Sequence, residues 1–383
     1  MDRKKKSSLY LHIPYCRRKC LYCDFFSGGE KIADWPLLTD CLLEEARRRK
    51  EELPTLPSTL YLGGGTPSLM PEESLERLMH GLHNIYEGMK PEEITIEVNP
   101  DDVSPEKAEL WKSVGFNRVS IGIQSFRDEE LKAMGRRHSG TQGADAIIML
   151  KQYFDNISAD LIFGLPGQTR ESWEESLDRM IELRPEHISA YSLMYEDGTP
   201  LTVLRDSGKL PIIPEEDSEW MFRRLIERIV AAGYDRYEIS NYSLTGRHSR
   251  HNSAYWSGNP YLGLGPSAHS YDGIRTRRSN PADLNGYLRY FREKKNPTSK
   301  FYEEEILNDE ELREEYILTR MRTGGGINLT EYGEKWGEEK CRQLLKNAKP
   351  ALTEKMLAKS QDQLFLTEKG IMIADRIIID LAM

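Results

Sequence analysis

Cys16, Cys20 and Cys23 stand in the run Cys16-Arg17-Arg18-Lys19-Cys20-Leu21-Tyr22-Cys23, a CxxxCxxC, and they are three of only five cysteines in 383 residues. Five cysteines scattered at random would give that triplet with a probability on the order of 10⁻³, so the spacing asks for a chemical reason. Three thiolates in one loop suit a metal. A structural zinc normally takes four ligands and closes its shell. A fourth is not obvious nearby, because Asp24 would be unusual beside thiolates and His12 sits in an apolar run that reads as a buried strand. Three thiolates on a four-iron cluster would instead leave one iron open to a substrate or cofactor. Cys41 and Cys341 stand alone and read as small buried hydrophobes.

Other chemistry-bearing residues recur at the ends of short apolar runs. Gly63-Gly64-Gly65-Thr66-Pro67 follows one run, and a triple glycine lets backbone N–H and C=O groups approach a small zwitterion. Glu97-Val98-Asn99-Pro100 ends the next, Gln124-Ser125-Phe126 the one after, with Arg136 twelve residues on. Asp160 precedes Gly164-Leu165-Pro166-Gly167 in the fifth. Each has a structural reading as a cap, turn or ion pair. Together they place polar groups at successive strand ends facing one mouth, which is what a cofactor site requires.

The elements that must hold these groups are six apolar runs: Leu9 to Ile13, Thr59 to Leu62, Glu93 to Val98, Arg118 to Ile123, Asn156 to Phe163 and Glu186 to Ser192. Amphipathic stretches such as Leu37 to Lys50 and Pro71 to His83 separate them, so βαβ crossovers and a parallel sheet are expected. The fold class is α/β, a partial (β/α)6 barrel over residues 1–200 whose loops at the C-terminal strand ends carry the chemistry. Residues 201–280 read as an extension with a helix from Glu215 to Ala232, a short strand from Tyr234 to Ile239, and a segment from His251 to Tyr271 too polar and turn-rich for a helix. Residues 281–383 read as a mainly helical, winged-helix-like domain, with helices near Leu329 to Trp336 and Glu338 to Lys346, a strand at Leu364 to Leu366, and Thr367 as an N-cap.

The 62 acidic against 53 basic residues leave a net charge of −9 spread along the chain. Nucleic-acid binding is not expected, because phosphate binding needs a concentrated positive surface and no basic recognition face accompanies the winged-helix pattern. No apolar run approaches the ~18 residues of a membrane helix, and Met1 to Ser8 lead into Leu9 without an apolar signal region, so a cytoplasmic protein is expected. The basic cluster Arg3 to Lys6 is the one feature a membrane surface could use peripherally, and it also reads as a solvated terminus. Oligomeric state is left open.

Tyr10-Leu11-His12-Ile13-Pro14-Tyr15-Cys16 with the cysteine triplet, then GGGTP, then Glu97, Gln124 and Asp160, resembles the radical S-adenosylmethionine (SAM) enzymes, and more narrowly the oxygen-independent coproporphyrinogen III oxidase-like group. The resemblance covers about residues 8 to 380. It implies a [4Fe–4S] cluster on Cys16, Cys20 and Cys23, and a SAM site in which Tyr10, Gly64 and Glu97 hold the cluster-bound molecule. Tyr22, Gly65, Thr66, Gln124, Arg136 and Asp160 match positions that line a second SAM in the oxidase. A low-potential electron donor is implied with them.

Two departures separate the chain from the oxidase. Its motif extends to CxxxCxxCxC, whereas Cys23 is followed here by Asp24 and Phe25, and only eight residues precede the first strand where the oxidase carries an extension. Both match the HemW subgroup of haem chaperones, which implies haem as cargo and apo-haemoproteins of respiration as recipients. His251-Asn252-Ser253-Ala254-Tyr255-Trp256 is the HNxxYW associated with that subgroup. The subgroup makes His251 the candidate haem ligand, with Tyr255 and Trp256 offering flat faces to a porphyrin. A packed core histidine is the competing reading, and His248 and His269 are rivals for the iron. The alternative functions are oxidative decarboxylation of coproporphyrinogen III and radical methylation of a small molecule.

Overall fold

The computed structural model describes residues 5–29, 33–293 and 300–383. Six strands, Ser7–Ile13, Pro57–Gly64, Glu93–Val98, Arg118–Gln124, Ile157–Phe163 and His187–Ser192, lie side by side in chain order, each pairing in parallel with the next. Helices such as Trp35–Arg49, Glu72–Ile85 and Arg170–Leu183 connect them. Their apolar residues recur at helical spacing, so Leu75, Leu78, Met79 and Leu82 all turn inward. On the first strand Leu9, Leu11 and Ile13 are fully buried. Each contributes ~1.5–3 kcal/mol of burial. Tyr10 and His12 alternate onto the opposite face, and Tyr10 lies in register with Tyr61 on the neighbouring strand.

The sheet does not stop at six strands. Tyr261–Leu264 pairs in parallel with Ser7–Ile13, and His269–Tyr271, Thr276–Ser279 and Glu303–Ile306 follow it outward as an antiparallel set. At the other edge Asn241–Ser243 and Asp235–Arg236 add on antiparallel to His187–Ser192. Among the described residues the twelve strands form a linear order whose ends do not pair, a sheet open at both edges. The strand expected from Tyr234 to Ile239 shrinks to Asp235–Arg236, because Ile239 turns away to bond the Arg322 carbonyl. The sheet also runs past residue 281. Glu303–Ile306 pairs there with Thr276–Ser279, and a buried network ties the segments before it to the first helix: Glu45 on Trp35–Arg49 accepts from Arg49, Asn280, Tyr287 and the Gly265 N–H, each at 2.8 Å.

One hydrophobic core runs from Leu9 to Phe291, and a second from Ile317 to Leu381. The second is built on helices Asp309–Met321, Leu329–Trp336, Glu338–Thr353 and Ala374–Ala382 with a three-stranded antiparallel sheet, Ile327–Asn328, Gln363–Leu366 and Leu357–Ser360. The hairpin gives the winged-helix character. Thr367 caps its following helix by accepting from the Gly370 N–H. Among the described residues no helix is long and apolar enough to cross a membrane. Of the basic cluster, Arg3 and Lys4 lie outside the described residues. Lys6 pairs with Glu92, and Lys5 donates to the carbonyls of Gly258 at 2.7 Å and Gly273 at 3.2 Å, so these two lysines are held against the sheet.

Candidate functional site

The cysteine loop leaves the first strand, passes through the two-residue strand Tyr15–Cys16, and is pinned from below by the glycine loop. The Gly65 N–H donates to the Ile13 carbonyl and the Thr66 N–H to that of Tyr15, both at 2.8 Å. Thr66 Oγ1 donates to Cys16 Sγ at 3.4 Å, and Arg136 Nη1 to Cys20 Sγ at 3.5 Å. Burial pushes the Cys16 thiol up and the Cys23 thiol to about 11, so metal uptake has to displace protons.

A cavity of about 230 Å³ lies above the strand ends. All three cysteines line it, with Tyr22, Gly64, Gly65, Thr66, Glu97, Gln124, Arg136 and Asp160. Tyr10 does not; it faces a different space. Glu97 accepts from Tyr61 Oη at 2.7 Å and from the Gly64 N–H at 3.1 Å. Burial, aided by the nearby Asp160 carboxylate, raises Glu97 to about 7, and burial raises Asp160 to about 6. Arg136 donates to Asn99 Oδ1 at 2.9 Å and to the Gly122 carbonyl at 2.5 Å, while its Nε is buried without a partner. Gln124 sits at a bulge with φ of 68°, a left-handed conformation that turns the strand end at the cavity rim.

Several lining residues escaped the sequence reading: Phe25, Ser120, Gly122, Ile162 and Tyr191. Ser120 and Gly122 share the inward alternation of one strand, a period-two signal that was available. Phe25 and Tyr191 depend on the path of loops.

Elevated carboxyls make a pH prediction. A ligand ammonium placed beside Glu97 would stabilise its carboxylate, so binding would hold its proton affinity down and release a proton wherever the free protein carries one. SAM affinity should therefore be full above about pH 7 and fall as pH drops through it, with proton release detected by calorimetry in buffers of different ionisation enthalpy; a flat profile that Glu97→Gln does not alter would exclude the contact.

The loops are coupled more tightly than their separation in sequence suggests. A Cβ on Gly64, whose φ is 101°, would come within 2.5 Å of the His12 ring, so valine there displaces His12 in place of filling ligand space. On Gly65 it would come within 2.7 Å of the Ile13 and Tyr15 carbonyls, beside Cys16. Gly65→Ala should lower iron retention together with SAM binding, and normal iron content in that variant would show the loops to be independent.

A second cavity, about 720 Å³, adjoins the first and shares Phe25 with it. Tyr10, Phe26, Tyr255, Trp256, Tyr261 and Tyr316 are among its walls, and both cores contribute. Contrary to the sequence expectation, the HNxxYW segment is helical, Arg250–Trp256. Ser249 caps it, and the Glu93 carboxylate accepts from the N–H groups of Arg250 at 2.8 Å and His251 at 2.9 Å. The helix presents Tyr255 and Trp256 to the large cavity and buries His251 behind them.

His251 is not open to an iron. Its Nδ1 lies 2.8 Å from Thr59 Oγ1, its Nε2 2.8 Å from Tyr255 Oη, and its ring stacks on Tyr61 at 4.9 Å. Burial, with a contribution from Arg118, lowers it to about 3. The competing reading of a packed histidine describes this geometry. His248 stacks on Tyr237 at 4.3 Å and does not line the cavity.

A model described as the Radical SAM superfamily matches residues 10–180. Heme chaperone HemW of Bacillus subtilis (strain 168) is 33% identical over 381 residues, 97% of each chain.

This chain belongs to the HemW family of radical SAM proteins.

Another HemW, from Lactococcus lactis subsp. lactis (strain IL1403), is 32% identical over 98% of this chain and 97% of its own. The coproporphyrinogen III oxidase HemN of Escherichia coli superimposes with a TM-score of 0.84 at 20% identity, covering 99% of this chain and 90% of that one, a likeness of fold. Radical SAM membership brings a [4Fe–4S] cluster and SAM to a HemW-family chain. The residues present fit them. Three thiols and a glycine backbone border one cavity with buried carboxylates, and Arg136 keeps a buried donor unspent. Among the described residues no three His, Cys, Asp or Glu side chains close around a single ion; the thiols border a space.

Proposed function

We infer that this HemW-family chain is a haem chaperone that takes haem into the large aromatic cavity and passes it to an apo-haemoprotein. The observation that carries the reading is the cavity itself. Its volume, about 720 Å³, is that of a small-molecule site, its walls are aromatic, and Phe25 at the end of the cysteine loop forms part of it. The curated relatives bear the name heme chaperone over nearly their whole length.

In this account Cys16, Cys20 and Cys23 would hold the cluster, which, with a low-potential donor, would supply one-electron reduction of SAM when both are bound. Glu97 would receive the ammonium, and the Gly63–Gly65 backbone would offer its polar groups to the amino-acid end. Gln124, Arg136 and Asp160 orient the polar remainder, with Tyr22 and Thr66 closing the sides. Tyr10, carried over as a SAM residue, belongs to the wall of the cargo cavity. The protein works in the cytoplasm and hands haem to respiratory enzymes.

Titration of the anaerobic, cluster-loaded protein with haem tests the reading. Uptake near one haem per chain with a defined Soret band is expected, and uptake that never saturates would refute it.

A further inference from the structure

We propose that the large cavity binds haem through His269 as axial ligand and through a carboxylate clamp of Lys5, Arg320 and Lys335, so that the C-terminal domain closes the cargo site. The inference rests on the haem-carrier reading and adds the ligand and the anchor.

Two histidines line the cavity among the described residues, His12 and His269. His12 is occupied at both nitrogens. Its Nε2–H donates to the Phe26 carbonyl at 2.8 Å, which leaves Nδ1 to accept from Tyr10 Oη at 3.1 Å. His269 begins the strand His269–Tyr271 and is exposed. Among the described residues neither of its ring nitrogens has a hydrogen-bond partner. An unengaged imidazole at the wall of an aromatic cavity is what an iron tetrapyrrole requires and what an iron-free porphyrinogen has no use for.

The cations make an independent case. Lys5 precedes the first strand, Arg320 ends helix Asp309–Met321, and Lys335 ends helix Leu329–Trp336, yet all three border the same space. Arg320 and Lys335 both lie over the Tyr316 ring, at 5.4 Å and 5.6 Å. Among the described residues none of the three forms an ion pair. The fourth cation of the lining, Arg277, is already paired with Glu315 at 2.6 Å. The remaining carboxylate of the lining, Asp24, is exposed on the cysteine loop. Asp272, whose charge Lys5 feels, is spent on the N–H groups of Ile274, Arg275 and Thr276. Burial and mutual repulsion hold both Lys5 and Lys335 below the ordinary lysine value, a cost that an anionic ligand would relieve. Two propionates on one edge of a flat apolar ring match that arrangement.

The clamp draws one member from the lead-in to the sheet and two from the second core, so movement of the C-terminal domain would open the anchor. That gives a release route a recipient could exploit.

Absorbance titrations with haem and with haem dimethyl ester, using the cluster-loaded full chain, test each part. Wild type should bind haem near one per chain. His269→Gly should shift the Soret band and weaken haem about tenfold or more, with the band restored by free imidazole. His251→Gln should leave the band in place. Arg320→Gln combined with Lys335→Gln should weaken haem about tenfold or more while leaving the ester, whose carboxylates are blocked, bound as in wild type. Saturable wild-type uptake with an unmoved Soret band in His269→Gly would overturn the ligand assignment alone. Equal losses of haem and ester in the double variant would overturn the clamp. No saturable uptake by wild type would instead sink the carrier reading on which both depend.

Discussion

Replacing Cys16, Cys20 or Cys23 by serine will take the protein from about four irons and four sulfides per chain to nearly none, because the three thiolates would be the cluster's protein ligands and a cluster missing one is open to solvent and oxidation. Cys41→Ala and Cys341→Ala will leave the iron content unchanged. Cys41 is buried on the first helix with its thiol 3.6 Å from the Leu288 carbonyl, and Cys341 lies 3.7 Å from the Leu329 carbonyl in the second core. Neither lines the cavity that the other three share. Iron and sulfide analysis with the visible spectrum of anaerobically reconstituted protein decides the matter, and stoichiometric zinc without sulfide in anaerobically purified wild type would refute the cluster.

The second large effect is on stability. His251→Ala will lower it by about 3 kcal/mol, since it opens a cavity under Tyr61 and leaves the Thr59 and Tyr255 hydroxyls without their shared partner. His251→Gln, which can still bond, will lose less. The histidine also has a pH signature. Its folded value of about 3 lies below the usual ~6.5, so the unfolded chain takes up a proton that the fold refuses. Stability is therefore unaffected by this group above about pH 6.5 and declines as pH falls from there toward about 3. Burial depresses His12, His138 and His187 in the same sense, His138 to about 4, so His251→Gln will remove one of several contributions to the acid slope. Denaturant melts at pH 7.5 and pH 5 measure both quantities, and an unshifted midpoint in His251→Ala would contradict the packed geometry.

His251 also shows where sequence reasoning loses its hold. The cysteine triplet and the strand-end polar residues were legible because a parallel sheet delivers all its C-terminal loops to one edge, so spacing along the chain maps onto proximity in space. Glu97, Gln124 and Asp160 meet for that reason. What His251 does depends on Thr59, on Glu93 capping a helix from another strand, and on Tyr255 four residues on. The last pairing is an i, i+4 contact that a helical reading of Arg250–Trp256 would have exposed; the glycines and aromatics that follow hid the helix, and the Ser249 cap was the overlooked signal. Tyr10 was misplaced for a related reason. Alternation put it on the inner face, but two cavities share that face and Tyr10 lines the larger of them. The cations Lys5, Arg320 and Lys335 could not be joined from sequence, since they belong to both ends of the chain and no local pattern links them. The edge strand Glu303–Ile306 was equally hidden, because it pairs with Thr276–Ser279 across an intervening helix and no local pattern marks that partner.

Carrier and catalyst are distinguished by what leaves the protein. Anaerobic, reduced, cluster-loaded protein supplied with SAM should be incubated in parallel with coproporphyrinogen III and, after haem loading, with an apo-haemoprotein. Intact haem should move to the apoprotein, with the Soret band changing from donor to recipient, and no protoporphyrinogen should accumulate beyond one equivalent. Protoporphyrinogen formed over many turnovers, with haem neither retained nor transferred, would contradict the carrier reading.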